Sequence, residues 1–143
     1  MQPDFAIGFS DIQADIAAGA CSTTVFATSG DAGNTGGFSE SRENGLRAAY
    51  ATMAGVPNSW TSARVVHAGR SVTQLTLTAR PSVQLVLLRL PDGDIDGSGF
   101  ESTGQASLRK LYQGSITSLS TLDGPMQSYT AQEIVDTLGS VLR

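Results

Sequence analysis

The stretch from Ser82 to Gly99 reads Ser-Val-Gln-Leu-Val-Leu-Leu-Arg-Leu-Pro-Asp-Gly-Asp-Ile-Asp-Gly-Ser-Gly. Its first half is the most apolar run in the chain, and its second half places three carboxylates at alternate positions ahead of a glycine. Successive side chains of a strand point to opposite faces of its sheet, and between 83 and 90 both sets of alternate positions are largely apolar. A strand that is apolar on both faces is covered on both. We therefore predict that 83–90 is a central strand that leads into an acidic loop.

Two further strands are predicted just before this one. The segments 63–67 and 72–78 are rich in Val, Leu and Thr, and short turns around Gly69 and Pro81 separate the three runs. Links this short join antiparallel neighbours, so a three-stranded meander is expected over about 62–90. The apolar alternation slips once after Val72, which predicts a bulge in the middle strand.

The remaining segments read as one more strand and four helices. The strand is predicted over 21–28, and residues 116–122 fit either a strand or a continuing helix. The helices are predicted over 10–19, over 40–54 with Ser39 as its cap, over about 102–114, and from Thr130 to the end of the chain. Capping boxes, in which Ser or Thr is followed three residues later by Glu or Gln, support three of these helix starts. The three pairs are Ser10 with Gln13, Ser102 with Gln105, and Thr130 with Glu133. The predicted fold class is α+β, with an antiparallel sheet of four to five strands and helices packed against it.

Length and composition limit the classes of protein that this chain can belong to. A chain of 143 residues is expected to form a single domain, 1–143. The net charge is −4 and no basic cluster is present, so nucleic-acid binding is not expected. No apolar run is long enough to span a membrane, and the first residues do not have the pattern of a signal peptide. A single cysteine, Cys21, excludes an internal disulfide.

The acidic loop is the only stretch in which the sequence suggests a ligand. Asp92, Asp94 and Asp96, followed by Gly97, match the opening D-x-D-x-D-G of calcium-binding loops, in which alternate carboxylates face one cation. The twelfth position of such a loop holds Thr103 rather than a bidentate Glu. Two interpretations stay open: a weak calcium site with these three aspartates as ligands, or a polar turn that follows a buried strand.

Other chemically capable residues favour structural roles. His67 is the only histidine and sits at a predicted strand end, where no partner for catalysis is apparent from the sequence. The glycine-rich segment 30–37 precedes a helix but lacks the motifs of phosphate-binding loops, so a flexible or interface loop is expected. An enzyme would need His67 and a carboxylate to converge in a pocket.

The functional expectation follows from low charge and the missing catalytic combination. Charged residues make up only 15% of the chain, which suits a subunit packed against neighbours. We expect a non-catalytic structural or protein-interaction subunit, held in a larger assembly by contacts with other protein subunits. The alternative is a calcium-dependent binding module that uses the Asp92–Gly97 loop. No cofactor other than calcium is expected.

Overall fold

The computed structural model of the chain describes residues 11–34, 37–122 and 127–142. It contains a four-stranded sheet, and its strands in chain order are β1 (Ser22–Thr28), β2 (Trp60–His67), β3 (Arg70–Leu77) and β4 (Val83–Leu90). A separate two-stranded pair is formed by β5 (Leu119–Ser120) and β6 (Ser128–Tyr129). The helices are α1, of which residues 11–17 are described, α2 (Phe38–Ala54), α3 (Leu108–Gln113) and α4 (Ala131–Val141), with a 3₁₀ turn at Glu101–Thr103.

The four-stranded sheet has the spatial order β1-β4-β3-β2. The predicted meander is confirmed, because β2 pairs antiparallel with β3, and β3 pairs antiparallel with β4. The purely antiparallel sheet is wrong: β1 runs parallel to β4, with Ser22 opposite Val83. A parallel neighbour requires a long crossover, here one that includes α2, β2 and β3, and no local pattern in residues 21–28 specifies that partner.

The central position predicted for 83–90 is confirmed by two separate cores. Alternate side chains of β4 enter opposite clusters, one beneath α1 and α2 and the other beneath α3, α4 and the β5–β6 pair. All six apolar residues of β4 that form these clusters are buried. Those on the α2 side are Val83, Leu85 and Leu87, and those on the α4 side are Val86, Leu88 and Leu90.

The bulge predicted in the middle strand is wrong, because the registers of β3 with β2 and with β4 run without a shift. Val72 instead belongs to the core on the α4 side, and Thr73 is a buried polar residue. The irregular step lies where Phe26 pairs with Leu87 but Thr28 pairs with Leu90, which leaves one extra residue in β4. Arg89 lies within this step with a φ of 62°, in the left-handed region.

Of the three predicted capping boxes, one is confirmed and one is wrong. The capping box of Thr130 and Glu133 is present at the start of α4, with hydrogen bonds of 3.2 and 3.0 Å between the side chains and the opposite backbone N–H groups. The box proposed at Ser102 is wrong, since that residue lies in the 3₁₀ turn and α3 begins after Ser107, whose side chain accepts a hydrogen bond from the N–H of Lys110. Gly37 rather than Ser39 precedes α2. The box proposed at Ser10 lies outside the described residues.

Candidate functional site

The acidic loop and the glycine-rich loop meet at the end of the sheet where the parallel strands β1 and β4 both finish. Asp31 joins them: its Oδ1 accepts a 2.7 Å hydrogen bond from the N–H of Asp92, and its Oδ2 accepts one of 3.2 Å from Gly33. The side chain of Asp92 in turn accepts a 3.3 Å hydrogen bond from the N–H of Ala32. Asp31 is only 1% exposed, and the two hydrogen bonds that it accepts are part-buried.

The three predicted calcium ligands all accept hydrogen bonds from backbone N–H groups. Asp92 accepts from Asp94 at 3.2 Å, Asp94 from Ile95 at 2.7 Å, and Asp96 from Ser98 at 2.9 Å. Hydrogen bonds from Ser98 hold the pKa of the Asp96 carboxyl below its ordinary value. In the described parts of the chain, no group of three or more His, Cys, Asp or Glu side chains is arranged to hold a metal ion. Calcium binding at Asp92, Asp94 and Asp96 stays a prediction.

Two glycines bring the acidic loop close to α3 and to the segment before it. Gly99 has a φ of +81°, and a Cβ built on it would lie 2.4 Å from the backbone carbon of Gln105. Gly97, at +76°, would place a Cβ 2.3 Å from the Cδ of Arg109. The hydroxyl of Ser107 donates a 2.6 Å hydrogen bond to the carbonyl of Gly97. The loop end is therefore a tightly cross-connected structure.

A cleft of about 580 Å³ opens beside this loop end, against the start of α2. Its floor includes an ion pair in which Arg89 donates to both carboxylate oxygens of Glu43, at 2.8 and 3.0 Å. Arg89 also donates a 3.0 Å hydrogen bond to Thr73 Oγ1. The charges of Arg89 and Glu43 in the cleft floor are thus paired with each other. Sequence reasoning missed both Asp31 and this pair. An arginine within an apolar strand is unusual enough to signal Arg89, whereas no local pattern marks Asp31.

His67 lies at the end of β2, beneath α4, away from the acidic loop in the fold. Its Nδ1 is 3.0 Å from the hydroxyl of Ser140, and its Nε2 is buried with no hydrogen-bond partner among the described residues. The nearby Glu133 carboxylate is engaged by Arg70, which also lies over the ring of Tyr129 at 5.5 Å. The hydrogen bond from Arg70 is the main cause that lowers the pKa of Glu133, followed by a hydrogen bond from the backbone of Thr130.

The outer edge of β2 is the second candidate site. Among the described residues, β2 is an end strand of the sheet and pairs only with β3. It is eight residues long, contains no proline or lysine, and keeps a regular register with β3 throughout. Val66 is 69% exposed. Natural edge strands are commonly shortened, bulged or protected by lysine or proline, and β2 has none of these features.

Arg64 is the only arginine, lysine or acidic residue in β2, and its side chain lies back across the sheet. Its guanidinium donates to Ser71 Oγ at 3.1 Å, to the Ser71 carbonyl at 2.9 Å, and to Thr73 Oγ1 at 2.9 Å. The charge is therefore held over β3 rather than beyond the edge. An approaching strand meets no formal charge that projects from β2.

Comparison of the chain with protein-family models, with curated proteins and with solved structures found no match. In the described residues, no helix has the length and apolarity needed to cross a membrane.

Proposed function

We propose that this protein is a non-catalytic interaction subunit that assembles with other protein through the outer edge of β2. The observation that supports the proposal most strongly is the strand itself, which is regular over Trp60–His67 and has no strand along its outer side within residues 11–34, 37–122 and 127–142. A partner strand added there gains backbone hydrogen bonds in register, the mode of recognition called β-augmentation.

The backbone geometry identifies which groups a partner would meet. In an antiparallel pair, hydrogen-bonded positions alternate with positions whose N–H and C=O groups point away from the neighbour. The N–H of Thr78 donates to the carbonyl of Ser59 at 2.9 Å, so odd-numbered positions of β2 bond to β3. Ser71 lies opposite the even-numbered Val66, and its main chain bonds to the side chain of Gln127 rather than to β2. This agrees with the assignment of the odd-numbered positions as the hydrogen-bonded ones.

Four residues of β2 therefore turn their backbone N–H and C=O groups outward, away from β3. These residues are Trp60, Ser62, Arg64 and Val66. The same phase explains a feature of the β2–β3 hairpin, whose two turn residues, Ala68 and Gly69, have φ values of 51° and 81°. Two-residue turns with positive φ at both positions close on a hydrogen-bonded pair, here His67 with Arg70.

Site-specific photo-cross-linking in the cells that produce the protein tests the proposal. A photoreactive amino acid at Val66 is expected to give adducts heavier than the chain alone, because a partner strand lies against that position. The same amino acid at Val135, an equally apolar residue that is 50% exposed on α4, is the matched control.

A second substitution makes the result specific for strand pairing. Proline at Ser62 removes an outward N–H and leaves the hydrogen bonds to β3, so Ser62→Pro should abolish the Val66 adducts while the protein stays folded. Adducts at Val135 with none at Val66 would place the interface on α4. Either that result or adducts that persist in Ser62→Pro would overturn the proposal.

A further inference from the structure

We infer that the strand which occupies the β2 edge is β2 of a second copy of this chain, paired antiparallel about a two-fold axis that passes through Ala63. This inference rests on the proposed function and specifies its partner. The first reason is that the outward groups recur at every second residue and each offers one donor and one acceptor, so the edge is complementary to itself.

Side-chain direction limits the possible registers. Residues directly opposite in an antiparallel pair point to the same face of the sheet, so a β2–β2 pair must join two even or two odd positions. A two-fold axis that passes between two residues would join even to odd positions and is excluded. The axis must coincide with a residue, and Ser62, Ala63 and Arg64 are the residues near the middle of the strand.

The register centred on Ala63 has the best side-chain pairs. It sets the exposed Val66 against Trp60 of the second copy, and it sets Arg64 against Ser62. The full set of pairs is Trp60 with Val66, Thr61 with Val65, Ser62 with Arg64, and Ala63 with its own equivalent. A register centred on Arg64 would oppose two guanidinium groups, and one centred on Ser62 would set Val66 against Asn58, outside the strand.

The faces on either side of the strand leave room for this pairing. Thr61 and Ala63 are exposed on the α4 side, and Ser62 and Arg64 are exposed on the α2 side. A two-fold axis perpendicular to the sheet keeps the α4 helices of both copies on one face and the α2 helices on the other. The product is a continuous eight-stranded sheet.

The interface is a small one. A single strand pair buries less than the roughly 1,200 Å² at the lower end of stable complexes, so we expect a dissociation constant on the order of 100 µM for the isolated chain. Sedimentation of the purified chain from about 10 µM to 1 mM should therefore show a monomer–dimer equilibrium. Val66→Lys should weaken it at least tenfold, and Val135→Lys should leave it unchanged.

Disulfide trapping reports the register. Ala63 and its equivalent would form a non-hydrogen-bonded pair, with Cα atoms about 4.5 Å apart, within the range that a disulfide bridges. In a Cys21→Ser background, Ala63→Cys should give a disulfide-linked dimer under mild oxidation. Thr61→Cys, which lies on the same strand and face, faces Val65 instead and should remain monomeric.

The outcomes separate the two proposals. Photo-adducts at Val66 whose mass is not twice that of the chain, with no dimer at 1 mM, would overturn the second-copy inference and leave the edge as an interaction site. Trapping at Thr61 or at Ser62 in place of Ala63 would overturn the register. A dimer that is insensitive to Val66→Lys and sensitive to Val135→Lys would overturn both.

Discussion

The loop end of the sheet and the outer edge of β2 differ in how they use their backbone polar groups. At the loop end, Asp31 and Asp92 each accept hydrogen bonds from the N–H groups of the other loop, and glycines allow the chains to touch. Along β2, every second residue directs an N–H and a C=O outward. At the loop end the backbone groups bond to side chains across the fold, whereas along β2 they point away from the neighbouring strand β3.

Substitution of Gly99 is expected to have the largest effect on the free energy of unfolding. Gly99→Ala sets a Cβ against the backbone of Gln105 at 2.4 Å and also strains a backbone at φ +81°. Gly69, in the β2–β3 hairpin, has the same φ of +81° but nothing within 4 Å of its built Cβ. We expect Gly99→Ala to lower the free energy of unfolding by about 3 kcal/mol or more and Gly69→Ala by about 1 kcal/mol. Urea denaturation of both variants measures the difference, and equal losses would contradict the tight packing described at the loop end.

Asp31 should produce the next largest effect. Asp31→Ala leaves the N–H groups of Asp92 and Gly33 without their acceptor, and both of these hydrogen bonds are part-buried. The expected loss in the free energy of unfolding is about 2–3 kcal/mol. Asp96→Ala is the matched control, because this exposed carboxylate makes a local bond to Ser98, and its loss should be below about 1 kcal/mol. Similar losses in the free energy of unfolding for both variants would show that Asp31 does not hold the two loops together.

Calcium would add a further connection at the loop end. If Asp92, Asp94 and Asp96 act as ligands, isothermal titration with CaCl₂ should show binding in the millimolar range, because the loop lacks the bidentate Glu of tighter sites. Asp94→Asn combined with Asp96→Asn should abolish that heat, and Asp136→Asn, on the exposed side of α4, should retain it. Absence of heat at millimolar calcium would reject the site.

The smallest expected effect is a change in the pKa of Glu133, which forms an ion pair with Arg70 close to the β2 edge. The pKa of Glu133 lies below its ordinary value because Arg70 and the Thr130 backbone stabilise the carboxylate. A carboxyl whose pKa is lowered by folding stabilises the protein above its unfolded pKa, and that contribution is lost as the pH falls through the folded value. NMR titration should show the pKa of Glu133 rising toward its ordinary value in Arg70→Gln. A pKa that does not move would mean that Arg70 is not the main cause.

Much of the sheet could be predicted because its determinants are local. The two-sided apolar pattern of 83–90 fixes a covered strand, and the short turns at Gly69 and Pro81 fix the antiparallel order. The Thr130–Glu133 box is equally local, since both of its hydrogen bonds lie within one helical turn. These predictions depended on nothing outside a window of a few residues.

Two of the wrong predictions, the antiparallel placing of β1 and the bulge in β3, depended on distant partners. Nothing in 21–28 indicates whether it pairs with a strand that runs parallel or antiparallel. Thr73 looked like a break in the alternation of β3, but it is a buried hydroxyl that serves two arginines, Arg64 and Arg89. Asp31 was hidden for the same reason, because its role is set by the N–H of Asp92 across the fold.

The parallel pairing of β1 with β4 has a consequence for synthesis. During translation Ser22 emerges well before Val83, its neighbour in the sheet. At roughly 5–20 residues per second, β1 waits on the order of 3–12 seconds for its partner β4, while the hairpin of β2 and β3 can already close. The newly made chain therefore carries an unattached strand whose Val25 and Phe26 belong to opposite cores, and it depends on the arrival of β4 to cover both of them together.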